Sequence, residues 1–213
     1  MRQSITSQDL LAIFARMADA LEAQKDYLCE LDAIGDGDQG VTMAIGFRAI
    51  RNALPGLASA DVGTIVTRCG LTFNGTAAST IGALLATACM RAGREAKGLA
   101  AVELAGIVRM FDAAIVGVKE RGKANVGDKT ILDMMVPTAA ALHEALDAEQ
   151  PLAEALSASL VAAEAGVKST IAMRSAIGRA SWLADRTVGH QDPGATSFYL
   201  MWKTVVEYVS EPD

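Results

Sequence analysis

Apolar residues return at helical spacing along almost the whole chain. Behind Ser7, a candidate N-cap, Leu10, Leu11, Phe14, Met17, Ala18 and Leu21 form the i, i+3, i+4, i+7 stripe of an amphipathic helix that runs into residues 31–40. Similar stripes cover Gly40 to Leu54, Ala60 to about Thr72, about Thr76 to Gly93, Ala101 to Arg121, Thr130 to Leu146, Pro151 to Ile171 and Thr196 to Val209. No segment alternates with period two for long enough to read as a strand. Eight helices joined mostly by short links marked with Gly or Pro predict sequential antiparallel neighbours. The expected fold is therefore all-α, an eight-helix antiparallel up-and-down barrel or bundle, with residues 1–213 as one domain. Composition agrees: 51% of the 213 residues are hydrophobic but only 5% aromatic, which leaves Ala and Leu to build a helical core.

A net charge of −6 argues against nucleic acid or a membrane surface as partner, because phosphate backbones select a basic face. Cys29, Cys69 and Cys89 are odd in number and lack CxxC spacing, so they read as reduced thiols in a cytoplasmic protein. The amino terminus interrupts its apolar residues with Asp and Arg, unlike a secretory signal. The longest clearly apolar run, IGALLATACM, is too short to span a membrane.

The stretch LDAIGDGDQG places Asp32, Asp36 and Asp38 within seven positions, with Gly35, Gly37 and Gly40 among them. Three carboxylates in one loop repel one another unless cations sit among them, so the pattern reads as a metal site rather than a polar turn. An EF-hand fails, since alignment on Asp36 puts Val41 at the turn glycine and Phe47 at the bidentate Glu. Zinc is disfavoured because His143 and His190 are the only histidines and neither is near the loop. Magnesium remains, a cation that keeps waters and shares its coordination with phosphate oxygens. The helix starting near Gly40 offers free backbone N–H groups to such phosphates.

Three other stretches carry polar groups. GKANVGDKT, 122–130, nearly spells a P-loop, but Asp128 separates the glycine from Lys129 and a helix precedes it, so a helix-helix turn is the better reading. GLTFNGTAASTIGAL, 70–84, is either close helix packing or a phosphate cradle built on Ser79 and Thr80. In the long polar stretch 173–195, His190 reads as a hydrogen-bonding scaffold rather than a base, and Arg179 and Arg186 bring positive charge. His143 reads as structural or solvent-facing.

Together, LDAIGDGDQG, GDKTILDMMVP at 127–137 and GRASWLADRTVGHQDPGA at 178–195 resemble the nucleotide-binding L subunit of dihydroxyacetone kinases, in the family's order and over essentially the whole chain. The resemblance implies an eight-helix barrel with ADP or ATP at one rim and two Mg²⁺ ions held by Asp32, Asp36 and Asp38. It implies that Gln39, Gly40, Val41 and Thr42 follow the nucleotide and that Ser79 and Thr80 lie at its phosphates. Gly122, Thr130 and Ile131 would line the base and ribose side, and Arg179, Asp192 and Pro193 would belong to a segment closing over the nucleotide. The spacing from Asp32 to Asp36 is one residue shorter than the family commonly has, Gln39 stands at a frequent His, and the phosphate turn appears as AASTIG.

The implied activity is phosphoryl transfer to a small ketose, dihydroxyacetone or a four-carbon sugar such as erythrulose, held on a separate K subunit, without which this chain would be inactive. The donor is either exchanging ATP or a retained ADP recharged from phosphoenolpyruvate by a phosphotransferase-system partner, and a free-standing subunit leans to the second. Alternatives are the related domain of fatty-acid kinases and a nucleotide sensor that binds a transcription regulator. A homodimer is the expected assembly.

Overall fold

The computed structural model describes residues 2–212, the side chains at 179, 180 and 184 excepted. Nine α-helices are found among the described residues: α1 (Ser7–Ala23), α2 (Lys25–Leu31), α3 (Gln39–Ala53), α4 (Val62–Thr76), α5 (Thr80–Glu95), α6 (Leu104–Gly122), α7 (Leu132–Asp147), α8 (Leu152–Ser169) and α9 (Pro193–Ser210). The first expected helix is divided in two. Its apolar stripe ends at Leu21, and Gln24, with φ −98° and ψ 8°, leaves helical geometry and turns the chain into α2.

Ser7 is not the N-cap of α1. Thr6 takes that place, its hydroxyl accepting from Asp9 N at 3.1 Å while the Asp9 carboxylate accepts from Thr6 N at 2.8 Å, a reciprocal capping box. Ser7 instead donates its amide to Ala100 O at 2.9 Å. Beside it, β1 (Ile5–Thr6) pairs antiparallel with β2 (Ala101–Val102), Ile5 opposite Val102. Two residues per strand are too few for alternation to register in a sequence.

Successive helices from α3 onward pack on one another, α1 packs on α3, and α9 returns to α1, so the order of neighbours closes on itself. The links show alternating direction. The start of α4 hydrogen-bonds to the end of α5 through Val62 N to Leu99 O and Gly63 N to Ala96 O, both 2.9–3.1 Å. The helices enclose one apolar core that includes Phe47, Phe73, Leu132, Leu142 and Leu156. Phe47 and Phe73 meet edge to face at 5.6 Å, as do Phe111 and Trp202 at 5.0 Å. Small residues set how closely helices approach: a Cβ on Gly166 of α8 would lie 2.4 Å from Asp133 O of α7. Among the described residues, no helix is long and apolar enough to cross a membrane.

Candidate functional site

The acidic loop joins α2 to α3 and is organised by Asp32. Its carbonyl accepts from Gly35 N at 2.7 Å and Gly37 N at 3.2 Å, and its Oδ2 accepts from Asp38 N and Gln39 N, both at 3.2 Å. Gly37 supplies the left-handed turn, φ 72°, that folds the loop back. Carboxylate oxygens of Asp32, Asp36 and Asp38 thereby come within 4.8 Å of one another. Asp32 is half-buried; the other two are exposed. Burial pushes the Asp32 carboxyl above its ordinary value and the Asp38 charge adds to that, against the N–H bonds that favour the anion. Such a cluster, all oxygen and held together by backbone, fits a hard divalent cation and offers nothing to a softer one. The start of α3, where the loop ends, is fixed to α2 by close approach, since a Cβ on Gly40 would lie 1.9 Å from Lys25 O.

The loop forms one wall of a cleft of about 320 Å³. Four helices begin at that cleft: α3 through Asp38, Gln39 and Thr42; α5 through Ser79, Thr80 and Ile81; α7 through Thr130 and Ile131 just before its first turn; and α9 through Asp192 and Gly194. The carboxyl ends of α4, α6 and α8 reach the same end of the molecule, but none of their own residues lines the cleft. Positive helix ends therefore face it, an arrangement that favours anions. Ser79 caps α5, accepting from Gly82 N at 3.1 Å. Ile81, Leu84, Ile131 and Ile177 make an apolar wall beside the polar groups. A cleft with carboxylates and amides on one side and aliphatic side chains on the other suits a ligand with a charged end and a flat, weakly polar end.

A second set of charges lies at the wall of the cleft and just behind it. Asp192 caps α9, its carboxylate accepting from Ala195 N at 2.6 Å. Burial pushes its carboxyl up to about 6; the Ala195 amide and the Lys129 charge oppose the shift, and the charges of Asp133 and Asp32 add to it. Asp133, buried in the first turn of α7, accepts from Gly127 N at 2.6 Å and Thr130 N at 2.7 Å and so shapes the 127–130 turn. Lys129 is only 5% exposed and has a left-handed backbone, φ 60°. Its ammonium donates to Met173 O at 3.2 Å, Thr187 O at 2.5 Å and His190 O at 2.6 Å. Burial lowers its pKa and the Asp192 charge partly restores it.

Of the residues singled out from the sequence, Asp32, Asp36, Asp38, Gln39, Thr42, Ser79, Thr80, Thr130, Ile131 and Asp192 line this cleft. Gly40, Val41, Gly122 and Pro193 are not among its lining residues: Gly40 packs on α2, Val41 is 41% exposed, and Gly122 lies against Leu84. The backbone of Arg179 opens a 3-10 segment, Arg179–Thr187, while its side chain lies outside what is described. Gln39 reaches across to Ser197 of α9 at 3.0 Å. His190 contributes its carbonyl to Lys129, a scaffold contact, and His143 pairs with Asp112 at 2.9 Å on an exposed face. Lys129 and Asp133 were not anticipated. The signal for Asp133 lay in GDKTILD, where an acid three residues after Thr130 can accept from that residue's amide.

Residues 33–207 match the DAK2 domain family. The chain is 35% identical over 199 residues to the PEP-dependent dihydroxyacetone kinase, ADP-binding subunit DhaL, of Escherichia coli (strain K12), covering 93% of this chain and 95% of that one. It is 34% identical over 204 residues to the D-erythrulose kinase of Mycolicibacterium smegmatis, covering 92% of this chain and 34% of that enzyme. The dihydroxyacetone kinase from C. freundii in complex with AMP-PNP and Mg²⁺ has a similar fold, with a TM-score of 0.69 and 25% identity over 92% of this chain. This chain spans 33% of that kinase's length.

Proposed function

The chain belongs to the DAK2 domain family, and from that premise we propose that it is the nucleotide-binding subunit of a dihydroxyacetone-type kinase, a phosphotransferase component that holds ADP or ATP in the cleft described above. One observation carries the reading: three carboxylates within 4.8 Å of one another border a cleft at which four helices begin. Carboxylates and positive helix ends are opposite demands unless a cation and an anion are both accommodated, and a magnesium polyphosphate is both.

Asp32, Asp36 and Asp38 would hold Mg²⁺, two ions by family resemblance, and bound there it would neutralise charge on the phosphate oxygens. The remaining roles belong to the chain. Gln39 and the positive start of α3 would meet the phosphate side, with Gly40 keeping that helix start close to α2. The Thr80 hydroxyl and the α5 amides would hold phosphate oxygens from the opposite wall. Thr130, Ile131, Ile177 and Leu84 would receive the ribose and base by apolar contact. Phosphoryl transfer asks mainly for such positioning, and no side chain here is required to form a covalent intermediate.

The acceptor would be a small ketose presented by a separate sugar-binding subunit. The name of the E. coli relative supports a phosphoenolpyruvate-dependent donor route, in which bound ADP is recharged in place by a phosphotransferase-system partner. The likeness to a D-erythrulose kinase supports a four-carbon ketose as the second reading of the acceptor. Calorimetric titration with ADP tests the core of the proposal. Binding should require Mg²⁺, and Asp36→Asn should weaken it by about 10–100-fold or more; equal affinity with and without the metal would reject the site.

A further inference from the structure

Residues 173–190 wall one side of the cleft through Ile177 and Gly178. They run between the 3-10 turn Thr170–Ala172 and α9. One side chain gathers both ends of this segment: Lys129 donates to Met173 O where the segment departs and to Thr187 O and His190 O where it returns. Backbone contacts close the same base, with Gly189 N to Ile171 O at 2.7 Å, Ala176 N to Asp128 O at 3.1 Å and Ser175 N to Thr187 Oγ1 at 3.0 Å. An ammonium has three protons, and all three here go to carbonyls. Lys129 therefore borders the cleft with no donor left for a phosphate. Its left-handed backbone is a conformation a non-glycine residue adopts at a cost, and the surrounding contacts hold it there.

We propose that Lys129 is a positioning residue, a latch that closes residues 173–190 against the cleft and so sets how long a nucleotide stays, rather than a phosphate ligand. The latch is independent of what fills the cleft; its effect on residence rests on the reading above. Arg174 and Arg186 are exposed on the latched segment and make it a trypsin target. In the ligand-free protein, Lys129→Met and Lys129→Arg should each speed cleavage there about tenfold or more, with the far-ultraviolet dichroism unchanged. Both should speed ADP release from the Mg²⁺ complex by a similar factor. Arginine keeps the charge, but its planar fork cannot meet three carbonyls gathered about one nitrogen, so a role through charge alone would leave Lys129→Arg like the parent.

Unchanged cleavage in both variants overturns the latch. If neither variant folds, the unaltered protein labelled with ¹⁵N-lysine decides: one ammonium should exchange its protons slowly before any ADP is added. Protection that arises only on adding ADP would overturn the proposal. Failure of the parent to bind ADP would overturn the nucleotide reading instead, and the proteolysis would still decide the latch.

Discussion

The Asp192 carboxyl is held between competing influences, and the balance makes stability depend on pH. Its folded-state pKa, about 6, lies above the ordinary 3.8. Between those values the folded chain binds more proton than the unfolded one, so this group's contribution is fully present below about pH 4 and is lost as pH rises through about 6. A rise from 3.8 to about 6 corresponds to ~3 kcal/mol. Asp192→Asn should keep the α9 cap, since Asn caps as well as Asp, and should remove this part of the pH dependence. Urea midpoints of the ligand-free proteins at pH 4.5 and 7 measure the difference; parallel behaviour of the two proteins would mean that another group carries the slope. The acidic loop was legible because its three carboxylates are contiguous and mutually repulsive. Lys129 was not, because its partners are backbone carbonyls 44 to 61 residues away, and a carbonyl has no letter in the sequence.

At the scale of elements, helix spacing rests on a few glycines. Gly166 lets α8 approach the Asp133 carbonyl, and the atom a Cβ would meet first is that backbone oxygen of α7. Gly166→Ala should therefore cost about 1–3 kcal/mol by forcing the helices apart. Gly75, near the end of α4, has nothing within 4 Å of its added Cβ. Gly75→Ala should be neutral or stabilise by up to about 1 kcal/mol through helix propensity. Denaturant unfolding of the pair measures the contrast. The stripes made the helices readable, because each buries one face. The break at Gln24 and the β1–β2 pair were unreadable for opposite reasons: the first is a change of direction within a polar stretch, and the second is no longer than a single period of its own signal.

For the molecule as a whole, alternating helix direction brings every helix start that lines the cleft to one end and puts the turns around Gly98 and Gln150 at the other. A helix of 16 residues, such as α5 or α7, separates the two ends by ~24 Å. Closure of the order of neighbours is reinforced where Arg2 and Arg16 stack on the Tyr208 ring at 4.7 and 4.8 Å and Tyr208 donates to Asp9 at 2.9 Å. The expectation of sequential packing was readable from short links; the return of α9 to α1 was not, because no local pattern encodes a contact between helices so far apart in the chain. Chemistry and anchorage can thus be separated in space. A thiol introduced by Gln150→Cys, an exposed position, could tether the protein to a sensor surface with the cleft facing solution. Such a tethered layer should capture Mg·ADP with the affinity of the free protein, which turns the two-ended build into a practical reagent.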